Sequence, residues 1–197
     1  DCCLLDGCFA ARAVRCLQRI FFCGEPLRGS TVRRLWQRFP GLRIINAYGP
    51  TEATCAISSA EITPDLAAQE VLPIGRESGE AVDITLSAEN RICLQGTSVA
   101  AGYLNGACFE GRFLTGDLGH FEKEYLWYDG RCDDQIKYKG YRIEPVEIEA
   151  ALTAQPNVQQ AVVLPRYDRL GRVVALRALV TTDGTTEEET LREALRH

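Results

Sequence analysis

The chain contains no methionine, only two histidines (His120 and His197), and no Cys-x-x-Cys pair among its nine cysteines. Without paired cysteine or histidine spacing, no zinc site of recognisable type can be drawn from it. The cysteines fall at positions 2, 3, 8, 16, 23, 55, 93, 108 and 132. Their odd number and scatter suit reduced thiols in a cytoplasmic protein better than a disulfide framework. No run approaches the roughly 18 apolar residues of a membrane span, and no signal-peptide pattern is visible. Basic residues are also in deficit, with 22 Lys and Arg against 27 Asp and Glu and a net charge of -5. That balance excludes the basic stripe of a nucleic-acid binder. What remains is an ordinary globular composition, 46% hydrophobic and 25% charged over 197 residues, enough for one sizeable domain or a domain and a half. The opening at Asp1 and the lack of methionine predict a piece of a longer chain.

Arg19 to Cys23 reads as a buried strand ending at Gly24-Glu25-Pro26. Ser30 or Thr31 is then placed to cap a helix with Val32, Leu35, Trp36 and Phe39 on one face, stopped by Pro40-Gly41. Arg43 to Ile45 supplies a second strand, giving the strand-helix-strand unit of a parallel sheet. From about Val71 to Tyr128 the texture becomes short alternating strands, including Asp83 to Leu86 and Arg91 to Gln95. Gly130 to Asp134 forms a polar break. A hairpin over Gln135 to Ile143, a helix opened by Pro145 with Val146, Ala150 and Leu152 inward, two strands (Val158 to Leu164, Val173 to Val180) and a helix from Glu187 follow. The expected class is α/β, with residues 1–132 as one domain carrying a β-rich subdomain and 133–197 as a small α+β domain.

Four segments carry chemistry. Asn46-Ala47-Tyr48-Gly49-Pro50-Thr51-Glu52-Ala53-Thr54 reads as a polar turn directly after an apolar strand, at the carboxyl end where open α/β sheets place ligands. It combines an aromatic face, backbone amides, a hydroxyl and a carboxylate, which suit a base, a phosphate and a magnesium ion. An ordinary strand exit marked by Gly-Pro is the alternative. Leu114 to Gly119 reads as a glycine turn that fixes Asp117, either to accept both ribose hydroxyls or to bond its own backbone. Gly130-Arg131 offers a charged donor fork for phosphate or ribose oxygens, or a surface ion pair. The hairpin Lys137 to Arg142 is a solvated face or, with Gly140 at its tip, a place for close backbone approach to a thin ligand. Cys23 and Cys55 read as small apolar positions rather than nucleophiles, Cys23 as a buried wall. His120 has no sequence neighbour to activate it and reads as structural or solvent-facing.

Taken in order, these segments resemble the adenylate-forming (AMP-binding) superfamily. Asn46 to Thr54 resembles its nucleotide loop, Thr115-Gly116-Asp117 its ribose-binding segment, and Gly130 to Glu149 its hinge with the hairpin and helix of a mobile C-terminal lid. The resemblance is greatest to the D-alanine:D-alanyl carrier protein ligase family, through Asp1-Cys2-Cys3-Leu4-Leu5, Phe21 to Leu27, and Arg38-Phe39-Pro40 leading into Ile44 to Tyr48. It implies the C-terminal part of the adenylate-forming fold, namely a parallel-sheet α/β unit with a small β subdomain followed by a truncated lid.

It further implies ATP and Mg2+ as cofactors, with Asn46, Ala47, Tyr48, Gly49, Pro50, Thr51, Asp117, Tyr128, Asp129, Gly130 and Arg131 around ATP. Tyr48 is implied to stack on adenine, Asp117 and Arg131 to hold the ribose, and Glu52 to bind the metal. Cys23 and Cys55 are implied to line the amino-acid pocket, Asp133 to act as hinge, Lys137 to approach the mixed anhydride, and Gly140 to border the thiol tunnel. The family usually has valine where Cys55 stands. The implied partners are D-alanine or a similar small amino acid and a phosphopantetheinylated carrier protein, in teichoic acid D-alanylation. The family's glycine-rich phosphate loop, its ammonium-binding aspartate and its terminal lid lysine have no counterpart here, so the 197 residues alone are expected to turn over negligibly. A nonribosomal peptide synthetase adenylation domain, an acyl-CoA ligase and a non-catalytic scaffold are the alternatives.

Overall fold

The structure is a computed structural model that describes residues 14, 16–77, 81–104, 106, 108–169, 171–184 and 188–194. The Asp1 to Leu5 run and His197 lie outside the described residues. The chain divides into two compact units, one ending at Cys132 and the other beginning at Asp133.

In the first unit, β1 (Arg19–Phe22) pairs in parallel with β2 (Arg43–Tyr48), and helix α1 (Gly29–Arg38) connects them. β3 (Ser58–Glu61) adds antiparallel to β2 and, after the short helix α2 (Pro64–Ala67), β4 (Arg76–Glu77) adds to β3, in the order β1-β2-β3-β4. Val32 and Leu35 of α1 and Phe39 just past its end cluster with Leu42, Ile44, Ala60 and Ile62, and Trp36 packs against them half-buried. β1 is not a buried strand: it alternates exposed and half-buried residues and leaves Phe21 65% exposed, because among the described residues it lies at the sheet's edge. The expected Ser30 or Thr31 cap is also replaced. Helix α1 starts at Gly29, at least two residues earlier than a Ser30 cap would place it, without a side-chain cap from Arg28. Glu70 meets its start instead, its backbone carbonyl accepting from Gly29 N at 3.1 Å and its Oε2 from Ser30 Oγ at 2.8 Å. A carboxylate there satisfies orphan donors and complements the positive end of the helix.

β2 runs three residues past the expected strand, so Asn46, Ala47 and Tyr48 are strand and only Gly49 onward is loop. All three are buried, and the Asn46 side chain is satisfied by donating from Nδ2 to the Pro73 carbonyl at 2.9 Å. A central strand covered on both faces can hold a polar side chain only with such a partner. After a 3-10 turn at Thr51–Ala53, Thr54 and Cys55 both adopt left-handed φ, 69° and 66°.

A second sheet is an antiparallel meander of β5 (Asp83–Leu86), β6 (Arg91–Gln95), β7 (Arg112–Glu122) and β8 (Tyr125–Arg131). The two sheets of this unit meet at Gly75, whose carbonyl accepts from Leu126 N at 2.7 Å while Ile74 N donates back to Leu126 O at 2.9 Å. Two sequence expectations change here. Leu114 to Gly119 is the interior of an 11-residue strand rather than a turn, and Gly130-Arg131 closes β8 rather than opening the polar break. The cause is long-range pairing of β7 with both β6 and β8, which overrides local glycine content.

The second unit contains the hairpin β9 (Ile136–Tyr138) and β10 (Tyr141–Ile143), helix α3 (Pro145–Thr153), the long antiparallel pair β11 (Val158–Tyr167) and β12 (Val173–Thr182), and α4 (Glu188–Ala194). The hairpin closes through Lys139 and Gly140, at φ 52° and 83°, the double positive φ that a type I′ turn requires. Its core comprises Ile136, Leu152 and Val163. Val146 and Ala150, expected inward on α3, face solvent, because the buried stripe runs through Pro145 and Leu152 with Ile148 half-buried between them.

Candidate functional site

Asp117 is the centre of the arrangement. It lies on β7 directly opposite Arg131 on β8, so the ladder itself sets a cross-strand charge pair. Arg131 Nη1 donates to Asp117 Oδ1 at 2.7 Å, and Tyr48, at the end of β2 in the other sheet, donates its hydroxyl to Asp117 Oδ2 at 2.7 Å. Thr115 Oγ1 accepts from Asp117 N at 3.1 Å and donates to the Ile92 carbonyl at 2.8 Å, fixing the backbone beneath the carboxylate. The group is buried: Tyr48 is 7% and Asp117 3% exposed, and the Arg131 side chain 11%. Removing one partner of so buried an ion pair typically costs about 3–5 kcal/mol.

Burial, then the neighbouring Asp117 charge and the hydrogen bond to it, push the Tyr48 hydroxyl above the usual tyrosine range. It therefore stays protonated and serves as a donor. Tyr48 belongs to one buried apolar cluster with residues that include Ala53, Ile57, Ile74, Ile92, Leu94 and Leu126. The segment read as a nucleotide loop is thus anchored in the core of the second sheet by its own aromatic residue. Tyr128 packs half-buried against the same cluster.

Glu52 is 7% exposed, and its Oε1 accepts from the Tyr103 hydroxyl at 2.5 Å. Its carbonyl accepts from Ala100 N at 2.8 Å, so the loop after β6 hangs on this residue. A carboxylate is the hard oxygen donor that magnesium takes, and magnesium is commonly held by one or two carboxylates together with substrate phosphates. Among the described residues no group of three or more His, Cys, Asp or Glu gathers. The donor set fits an ion that arrives with phosphate. Thr51 is exposed, while the Pro50 carbonyl accepts from Ala53 N at 3.1 Å and Cys55 N at 3.0 Å.

The two expected pocket cysteines are neighbours, with Cys23 Sγ donating to the Cys55 carbonyl at 3.1 Å. Cys23 is exposed rather than a buried wall, because it follows an edge strand. His120, which had no visible partner in sequence, bonds through Nδ1 to Asp129 Oδ2 at 2.8 Å and lies parallel to Trp127 with ring centroids 6.3 Å apart. The β7–β8 register passes from Leu118↔Gly130 to Gly119↔Tyr128, leaving Asp129 out of the ladder and free to reach His120. Asp129 is exposed and joined to that surface pair, not to Asp117. Asp133, Lys137 and Gly140 belong to the second unit. Tyr103 escaped the sequence analysis because 51 residues separate it from Glu52, with only a Gly-Tyr turn to mark it.

Several comparisons bear on this arrangement. The AMP-binding enzyme family matches residues 5–104. A "D-alanine--D-alanyl carrier protein ligase" of Streptococcus equi subsp. equi is 40% identical over 95% of this chain, and one of Streptococcus pyogenes serotype M3 is 37% identical, each match covering 41% of the relative. The chain thus spans less than half the length of these curated relatives. Among solved structures, PA1221, an NRPS protein containing adenylation and PCP domains, superposes with a TM-score of 0.72 at 28% identity, covering 88% of this chain and 40% of that one. The Vibrio cholerae adenylation domain AlmE, in complex with glycyl-adenosine-5'-phosphate, shares the fold with a TM-score of 0.77 at 24% identity, over 94% of this chain and 41% of that one. No helix among the described residues is long and apolar enough to cross a membrane. With a family match over half its length and a mixed α/β fold in common with adenylation domains, the chain belongs to the AMP-binding enzyme family.

Proposed function

We propose that this chain is part of an ATP-dependent ligase that activates a small amino acid, D-alanine foremost, as its aminoacyl-AMP and passes it to the phosphopantetheine thiol of a carrier protein. The observation that carries the nucleotide part is the meeting of Tyr48, Asp117 and Arg131, from strands of two sheets, on one carboxylate. The names of the two streptococcal relatives support the choice of D-alanine and carrier protein.

In this reading Asp117 and Arg131 hold the ribose, and Asn46 to Thr51 with Tyr128 and Gly130 line the nucleotide. Tyr48 contacts adenine through what little of its ring is exposed. Asp129, tied to His120, lies at the edge of that set. Glu52 holds Mg2+, which when bound neutralises phosphate charge. The substrate carboxylate attacks the α-phosphorus and pyrophosphate leaves. The carrier thiol then displaces AMP, giving a thioester. The residues here contribute orientation and electrostatic preorganisation rather than covalent chemistry, the usual source of rate in phosphoryl-type transfer. Cys23 and Cys55 border the amino-acid pocket, and their small size suits a short side chain. Asp133, Lys137 and Gly140 act in the second half-reaction, as hinge, anhydride contact and tunnel wall.

Pyrophosphate exchange by the full-length parent protein tests this reading with D-alanine, L-alanine, glycine and D-serine. The expected result is exchange driven best by D-alanine. Preference for a larger L-amino acid would instead support a peptide-synthetase adenylation domain, the reading favoured by similarity to PA1221. Exchange with carboxylic acids alone would support an acyl-CoA ligase, and failure to bind ATP with magnesium a scaffold.

A further inference from the structure

We propose that Tyr48 is a positioning residue that sets discrimination between ribonucleotide and deoxyribonucleotide by locking the Asp117 carboxylate through its hydroxyl. The inference rests on the reading above, in which Asp117 is the ribose ligand, and adds a role separate from any contact of the Tyr48 ring with a base.

A carboxylate has about four acceptor positions on its two oxygens. Tyr48 occupies one on Oδ2 and Arg131 one on Oδ1, each at 2.7 Å. One donor on each oxygen fixes the rotation of the carboxyl plane, which a single partner would leave free. One acceptor position then remains on each oxygen, and two vicinal hydroxyls can fill that pair. The Tyr48 hydroxyl is well suited to this task. Its ring is held by an apolar cluster, so its position is set by packing from β2 while Arg131 approaches along the β7–β8 ladder. Two donors fixed by separate sheets give the carboxylate a direction that neither sheet could give alone. With the Tyr48 hydroxyl removed, Arg131 still neutralises the charge, but Oδ2 loses its donor and the plane can turn.

The test is made on the full-length parent protein, comparing Y48F and D117N with wild type for ATP, 2′-deoxyATP and 3′-deoxyATP. Both kcat/KM in pyrophosphate exchange and equilibrium nucleotide binding are read. Wild type is expected to prefer ATP, and Y48F to lose about tenfold of that preference, as expected for a lost charge-assisted hydrogen bond. D117N is expected to lose it as well. If D117N keeps the preference, Asp117 is not the ribose ligand and the reading of the site fails. If D117N loses it while Y48F matches wild type, or if Y48F weakens ATP and both deoxy analogues equally, the role of Tyr48 proposed here is overturned. Circular dichroism at the assay temperature checks folding. Should Y48F not fold, 4-aminophenylalanine at position 48 keeps the ring and a weaker donor. An intermediate preference then supports the proposal, and an unchanged one overturns it.

Discussion

Tyr48 ties β2 of one sheet to β7 of the other through its hydroxyl. Its type and place after an apolar strand drew attention to it, but its hydrogen bond reaches a residue 69 positions away, beyond any local signal. Its burial has a thermodynamic consequence that can be measured. The hydroxyl is held protonated above the usual tyrosine range by burial and the Asp117 charge, so the folded state binds its proton more tightly than the unfolded chain, where tyrosine titrates near about 10. The stabilisation is fully present below that pH. It is lost as pH rises beyond it, by up to about 1.4 kcal/mol per pH unit. Urea unfolding between pH 9 and 11 should therefore show wild type losing stability more steeply than Y48F, and parallel curves would contradict this. Both tryptophans, Trp36 and Trp127, lie in the first unit and report on it by fluorescence. The Asp117–Arg131 pair sits at the same scale. Each residue was a candidate in sequence, whereas their register as cross-strand neighbours needed the hairpin.

Elements were more legible than their edges. The strand-helix-strand unit follows from the apolar periodicity of residues 19–45, and β5 and β6 fall where alternation and turn residues put them. Misreadings gathered where glycine or proline suggested a turn that long-range pairing overruled, as in the interior of β7, or where an edge strand left its apolar residues in solvent, as at Phe21. The junction between the two sheets of the first unit was invisible, because it depends on backbone proximity. Gly75 has φ 108°, and a Cβ there would stand 2.2 Å from the Ser59 carbonyl carbon. Backbone cannot yield as a flexible side chain can. Gly75→Ala should therefore destabilise the first unit by about 3 kcal/mol or more, read as a lower urea midpoint by tryptophan fluorescence. It should also weaken nucleotide binding, since Leu126 ties this junction to β8 and so to Arg131. An unchanged midpoint would show that the junction adjusts without strain.

For the whole molecule, the division at Cys132 and Asp133 gives the proposed two-step reaction its most direct test. If Asp133 is the hinge, fixing its φ near −65° with proline should hinder the second half-reaction selectively. Asp133→Pro in the full-length protein is expected to leave pyrophosphate exchange within about twofold and to slow thioester formation by about tenfold or more. Loss of both half-reactions together would argue against a hinge. Residue type and local period alone carry the α/β unit of residues 1–132, the small α+β unit after it, the order of the chemistry-bearing motifs and the alternation that makes most of the strands. That Tyr48 and Arg131 grip the same carboxylate, that Tyr103 bonds Glu52, and that Cys23 stands exposed beside Cys55 emerges in the folded chain alone. Those contacts join residues far apart in sequence, whose meeting depends on how whole sheets pack rather than on what any segment prefers alone.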